Sequence, residues 1–188
     1  MKPLEILPLL SEYRDPKRYY HNLQHIEEML EWIHMEPHLE PWALHCLELA
    51  VIFHDIVYVP GAKDNEEKSA EYFRAFCKIN PVPVPLGFDI SYRQRNDTVC
   101  DLIMATKEHK GTTFLEKMII EADLQRLDVE WVDFLDNTML LFKESGLKFQ
   151  TFKQNTLAFI KVYKDRTQWI GPRVTDNFNS LEHLFKNI

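Results

Sequence analysis

Cysteine, glycine and long apolar runs are all scarce in this chain of 188 residues. Its three cysteines, Cys46, Cys77 and Cys100, are odd in number and form no CxxC pair. A disulfide framework and a zinc-thiolate site are therefore not expected, and the thiols read as small buried hydrophobes in a reducing compartment. Five glycines in 188 residues leave little material for tight hairpins or phosphate-cradling loops, and the Glu/Lys/Leu-rich stretches favour helix. No segment approaches the ~20 apolar residues of a membrane span. The opening "MKPLEILPLL" carries a glutamate and two prolines, unlike a secretory leader. The expected compartment is the cytoplasm. Positive charge is also in deficit: the formal net charge of -7 disfavours binding to a nucleic-acid polymer, although a local metal ion would still permit a small phosphorylated substrate.

The chain does have apolar material, at 45% hydrophobic and 12% aromatic residues, enough for a core. Its length suits one domain. A first short helix is expected to stop near "RDPKR". Leu23, Ile26, Met29, Leu30 and Ile33 recur at three- and four-residue steps, predicting an amphipathic helix over about 22–35. The segment from about 41 to 55 is apolar nearly all round, the pattern of a central buried helix. A third helix is predicted from Asp64 or Asn65 through about Lys78, and "NPVPVPLGFD" breaks helix with its prolines. Further helices are predicted at about 91–109, 114–127, 129–145 and 148–164. With no internal repeat and no convincing alternation, the fold class is all-α. Trp32, Trp42, Trp131 and Trp169 read as core or interface aromatics.

Against that background, a few polar residues occupy positions where packing would prefer leucine. His21 and His25 are four apart at the mouth of a helix, about 5–6 Å from each other on one face. His54 and Asp55 end the most apolar helix. Adjacent helical residues diverge by about 100°, so the pair converges on one point only if the backbone turns away there. Asp123 lies on the stripe of Ile119, Ile120, Leu124 and Leu127. Buried carboxylates need a cation or several donors. His25, His54, Asp55 and Asp123 thus form a candidate ligand set of two imidazoles and two carboxylates. Without thiolate, that set suits Mn²⁺, Fe²⁺, Co²⁺, Ni²⁺ or Mg²⁺, with coordination positions left open.

This H…HD…D order resembles the HD superfamily of metal-dependent phosphohydrolases. "RYYHNLQHI", "FHDIVY", "DNEEKSA", "TKEH" and "EADLQRL", spread over residues 18–127, look like successive blocks of its bacterial branch of predicted metal-dependent HD phosphohydrolases. The resemblance implies a single HD-like helical bundle that hydrolyses a phosphomonoester or phosphodiester in a small molecule, such as a nucleotide. "YHNLQH" is also similar to the YHN-x-x-H phrase of cyclic-nucleotide phosphodiesterases, which implies His21 as general acid and His25 as ligand. The branch usually has Leu-Gly where this chain has Leu127-Asp128.

The remaining candidates fall around this set. Asn65, Glu66 and Ser69, on one turn, either cap their helix or orient a water on the metal or a ligand histidine, with Glu66 assigned beside His21 to the catalytic groups. Lys107, His109 and Arg18 are candidate phosphate contacts, and His109 alternatively a further metal ligand. Two other readings remain open: a di-iron oxygenase on the same scaffold, or a non-catalytic nucleotide- or metal-binding module.

Overall fold

A computed structural model describes residues 9–80, 82–83, 90–164 and 170–188. Among these residues there is no strand, and the chain is all-α. Most of the proline-rich loop, Arg166 and Trp169 lie outside the described residues, as does most of the N-terminal segment, of which residues 9–12 are helical. The chain groups into two compact units, Met1–Asp123 and Leu124–Ile188.

The first unit is built round one apolar helix. Helix α1 (Leu23–His34) starts where the Asn22 side chain accepts the amide of His25, and it buries Ile26, Met29 and Ile33 together with His25. Helix α2 (Pro41–Phe53) begins with proline at its first turn, where a missing N–H costs nothing. It buries Leu47, Leu49, Ala50, Val51, Ile52 and Phe53, residues that cannot share one face, because α1, α3 and α4 all pack against it. Helix α3 (Asn65–Ile79) carries the "DNEEKSA" segment in its first turns, and α4 (Tyr92–Glu108) opens on a capping box between Ser91 and Gln94. Helix α5 (Phe114–Leu124) ends three residues earlier than the apolar periodicity predicts. Gln125–Leu127 tighten into a 3₁₀ turn that still carries Leu127 inward.

The second unit contains α6 (Trp131–Ser145), α7 (Phe149–Tyr163) and α8 (Arg173–Asn187), which pack against one another. Gly146 ends α6 at φ +62°, a left-handed position that glycine adopts without a Cβ clash. Helix α8 was not foreseen from the sequence. Its buried stripe of Val174, Phe178, Leu181 and Phe185 keeps helical spacing, but Asn177, Asn179 and Ser180 between them lower the local propensity. Asp128, where the resembled family usually has glycine, has a structural task here. Its Oδ1 accepts the amide of Arg173 at 2.7 Å and so caps α8. A Cβ at Gly171 would meet that carboxylate at 1.9 Å, so the two positions depend on each other.

Candidate metal centre

The first unit brings the four predicted ligands together. One donor atom each from His25, His54 and Asp55 lies within 4.8 Å of the others. Asp123 joins through Oδ1, 3.1 Å from His25 Nε2 and 3.7 Å from His54 Nε2. His25 and His54 are sealed from solvent, and Asp55 is 8% exposed. The local reasons are visible in each helix. His25 takes its inward place because Asn22 caps α1 three residues earlier. His54 and Asp55 follow the last turn of α2. There the Ile56 amide donates to Phe53 at 3.2 Å, and the chain turns away as convergence of neighbouring residues requires.

His54 shows what this geometry asks for. Its Nδ1 donates to the Val51 carbonyl at 2.9 Å, since a carbonyl can only accept. In the neutral ring the Nε2 lone pair therefore faces inward. Nε2 is buried 3.1 Å from Asp55 Oδ2, yet it is not aligned for a hydrogen bond with it. A lone pair and two carboxylates facing one centre repel unless a positive charge sits among them. Burial alone would lower the His54 pKa, but the facing Asp55 and Asp123 carboxylates outweigh it and raise it to about 9. Burial would likewise raise both carboxyls. His54 and His21 instead hold Asp55 well below the carboxylate range, and hydrogen bonds from His109 and His25 hold Asp123 well below it. The electrostatics of the cluster therefore favour a positive charge among these groups, a place that a divalent ion or a proton on His54 could fill. The nitrogen and oxygen donors, buried and aimed at one another, fit a divalent ion.

Two further imidazoles border the set. His21 Nε2 is 4.0 Å from Asp55 Oδ2, with a side chain 19% exposed, and its ring packs on Tyr58 with centroids 4.4 Å apart. His109 Nε2 lies 3.2 Å from Asp123 Oδ2. His109 is also the one non-glycine residue among those described with positive φ, at 47°, and it ends α4 in the left-handed region.

The other predicted residues make contacts of their own around this set. Asn65 exchanges two hydrogen bonds with the backbone of Val59, at 3.0 and 3.1 Å, and the Ser69 hydroxyl does the same with Val57. Both side chains hold the loop that follows Asp55. Glu66 is half-buried in the first turn of α3, and among the described residues no hydrogen bond or ion pair joins it to the cluster. Lys107 pairs with Glu67 and donates to the Lys63 carbonyl at 2.8 Å. Arg18 donates to the backbone carbonyls of Asp55, Ile56 and His21. Tyr13 and Tyr58 were missed. Tyr58 stands inside the quoted "FHDIVY", whereas Tyr13 gives no signal beyond being aromatic. It is fully buried, and its hydroxyl donates to Ile52 at 2.9 Å.

No protein-family model matches the chain, and no curated protein matches it significantly. No described helix is long and apolar enough to cross a membrane.

Proposed function

We propose that this chain is a metal-dependent phosphohydrolase of the HD type, cleaving a phosphoester bond in a small molecule such as a nucleotide. The observation that carries the reading is the convergence of His25, His54 and Asp55 within 4.8 Å, with Asp123 3.1 Å from His25. Those four residues would hold the ion. Once bound, it supplies a Lewis acid for a phosphoryl oxygen and a water whose pKa falls toward ~7.

The chain's own groups perform the remaining tasks. His21 sits at the half-buried edge of the cluster, close enough to Asp55 to hold a proton and open enough to hand it to a leaving oxygen. Tyr58 packs on that ring and limits its rotation. His109 fixes Asp123 from the side opposite His25, one carboxylate oxygen to each imidazole. The Val51 carbonyl fixes the His54 tautomer.

The test is metal analysis of the purified protein together with a phosphoester panel assayed with Mn²⁺, Co²⁺ and Mg²⁺. Turnover that requires metal and disappears in Asp55→Ala is the expected result. Saturable nucleotide binding without turnover makes the chain a binding module. An absorption band in the visible after anaerobic iron loading, with the panel untouched, makes it an oxygenase.

A further inference from the structure

Arg18 was expected to meet phosphate, yet its guanidinium lies among backbone carbonyls. Nη1 donates to Asp55 at 2.6 Å and to His21 at 3.4 Å, and Nη2 donates to Ile56 at 3.1 Å. The rings of Tyr13 and Tyr58 lie against it, at 5.0 and 5.6 Å from its central carbon. Tyr13 is in turn tied to the Ile52 carbonyl of α2. The carbonyls of Asp55 and Ile56 belong to the turn that ends α2, where backbone acceptors run out of amide partners and a cation is favoured. His54 and Asp55 can face one centre only while that turn holds its shape.

We infer that Arg18 is a positioning residue. It caps the end of α2 from outside the helix, fixes the turn that aims His54 and Asp55 at one point, and through the His21 carbonyl registers the His21–His25 segment to the same point. The inference rests on the metal-centre reading for its effect on the ion, but its effect on the turn does not need the ion. Lysine cannot replace this arrangement, because a single ammonium does not span three carbonyls along a plane as the guanidinium fork does.

Three measurements on Arg18→Lys test it, with Arg18→Met, which keeps the packing against the tyrosines, as a second variant if the first folds poorly. Backbone amide exchange in metal-free protein should rise about tenfold at residues 55–57, and unchanged exchange overturns the inference. Mn²⁺ titration of chelator-treated protein should show affinity lower by about 10–100-fold, the usual worth of a group that orients ligands. With saturating Mn²⁺ and bis(p-nitrophenyl) phosphate, kcat should fall while KM and the inhibition constant of inorganic phosphate stay within about twofold. A tenfold rise in those two constants, with Mn²⁺ affinity unchanged, makes Arg18 a phosphate contact and overturns the inference. Wild-type protein that binds Mn²⁺ but turns over no phosphoester defeats the proposed function and leaves the exchange and titration arms to decide Arg18. Wild-type protein that binds no Mn²⁺ defeats the metal reading, and the exchange arm alone then decides.

Discussion

The two units bury their interiors by different rules. In residues 124–188 the core is Phe134, Phe152, Ile160, Val174, Phe178, Leu181 and Phe185, and the buried amide of Asn177 has both hydrogens on the carbonyls of Leu127 and Val129. The two buried charged residues described in this unit, Arg126 and Glu144, are of opposite sign. In the first unit the equally apolar α2 ends in a sealed histidine and a nearly sealed aspartate. A second histidine and a second aspartate arrive from α1 and α5. Burying two carboxylates together is unfavourable without positive charge between them. One interior is thus apolar apart from satisfied or oppositely charged groups, and the other holds a cluster that the proposed ion would complete.

That contrast predicts opposite responses to substitution. The largest effect falls on the cluster. Asp55→Ala or His54→Ala should remove nearly all bound metal and all metal-dependent turnover, and the rise in Tm that Mn²⁺ gives the wild type should vanish. A variant that melts higher with Mn²⁺, as the wild type does, removes that residue from the ligand set. His21→Ala should keep the metal and slow turnover by roughly 10²–10⁴-fold, the usual contribution of a positioned acid. The loss should be smaller for a nitrophenyl ester, which leaves without a proton, and equal losses on good and poor leaving groups would take His21 out of that role. In the other unit, Phe178→Ala should cost about 3–5 kcal/mol of stability through the cavity it leaves. Metal per folded molecule should not change, and a parallel loss of metal would erase the distinction between the two interiors.

Much of the contrast was legible in the sequence, for a physical reason. Ile26, Met29 and Ile33 mark one face of α1, so a histidine at position 25 stands out as a polar group on a buried stripe. His54, Asp55 and Asp123 stand out the same way, which is why the cluster could be assembled from three separate phrases. Helix α8 was missed because its four buried apolar residues are interspersed with asparagines that argue against helix. The roles of Arg18, Asn65 and Ser69 were not legible, because their partners are main-chain atoms. Backbone carbonyls are present at every position and leave no mark in a sequence. Lys107 is hidden for another reason, as its partner Glu67 lies forty residues away on α3.

At the proposed metal centre protons and metal would compete for one place, which sets a pH dependence of intermediate size. In metal-free protein the His54 pKa is raised from 6.5 to about 9, so its contribution to stability is full below 6.5 and lost as pH rises through 9. Asp55 and Asp123 are lowered, so their contributions are present above the ordinary carboxylate pKa of 3.8 and lost as pH falls. Metal must displace the His54 proton, so apparent affinity should rise toward pH 9 by up to about tenfold per pH unit. Scanning calorimetry with Mn²⁺ and with chelator should show a gap in Tm that widens from pH 6.5 to 8.5. A constant gap would mean that no proton leaves the site on binding.

The smallest expected effect separates the backbone of His109 from its side chain. At φ 47° the residue sits in the left-handed region, where a Cβ costs about 1 kcal/mol and glycine sits freely. The side chain offsets that cost through its contact with Asp123 Oδ2 at 3.2 Å, a hydrogen bond to a charged group that is worth about 1.5–3 kcal/mol. His109→Ala loses the contact and keeps the strain, whereas His109→Gly loses the contact and relieves the strain. The glycine variant should therefore be the more stable of the two by up to about 1 kcal/mol, even though glycine loses more entropy on folding. In metal affinity the order should collapse, with both variants weakened by the same factor because both remove the same imidazole from Asp123 Oδ2. Equal stabilities would show that the strain in the left-handed turn is no larger than glycine's extra loss of entropy on folding. A glycine variant that binds Mn²⁺ as wild type does would show that Asp123 needs no second imidazole to hold it.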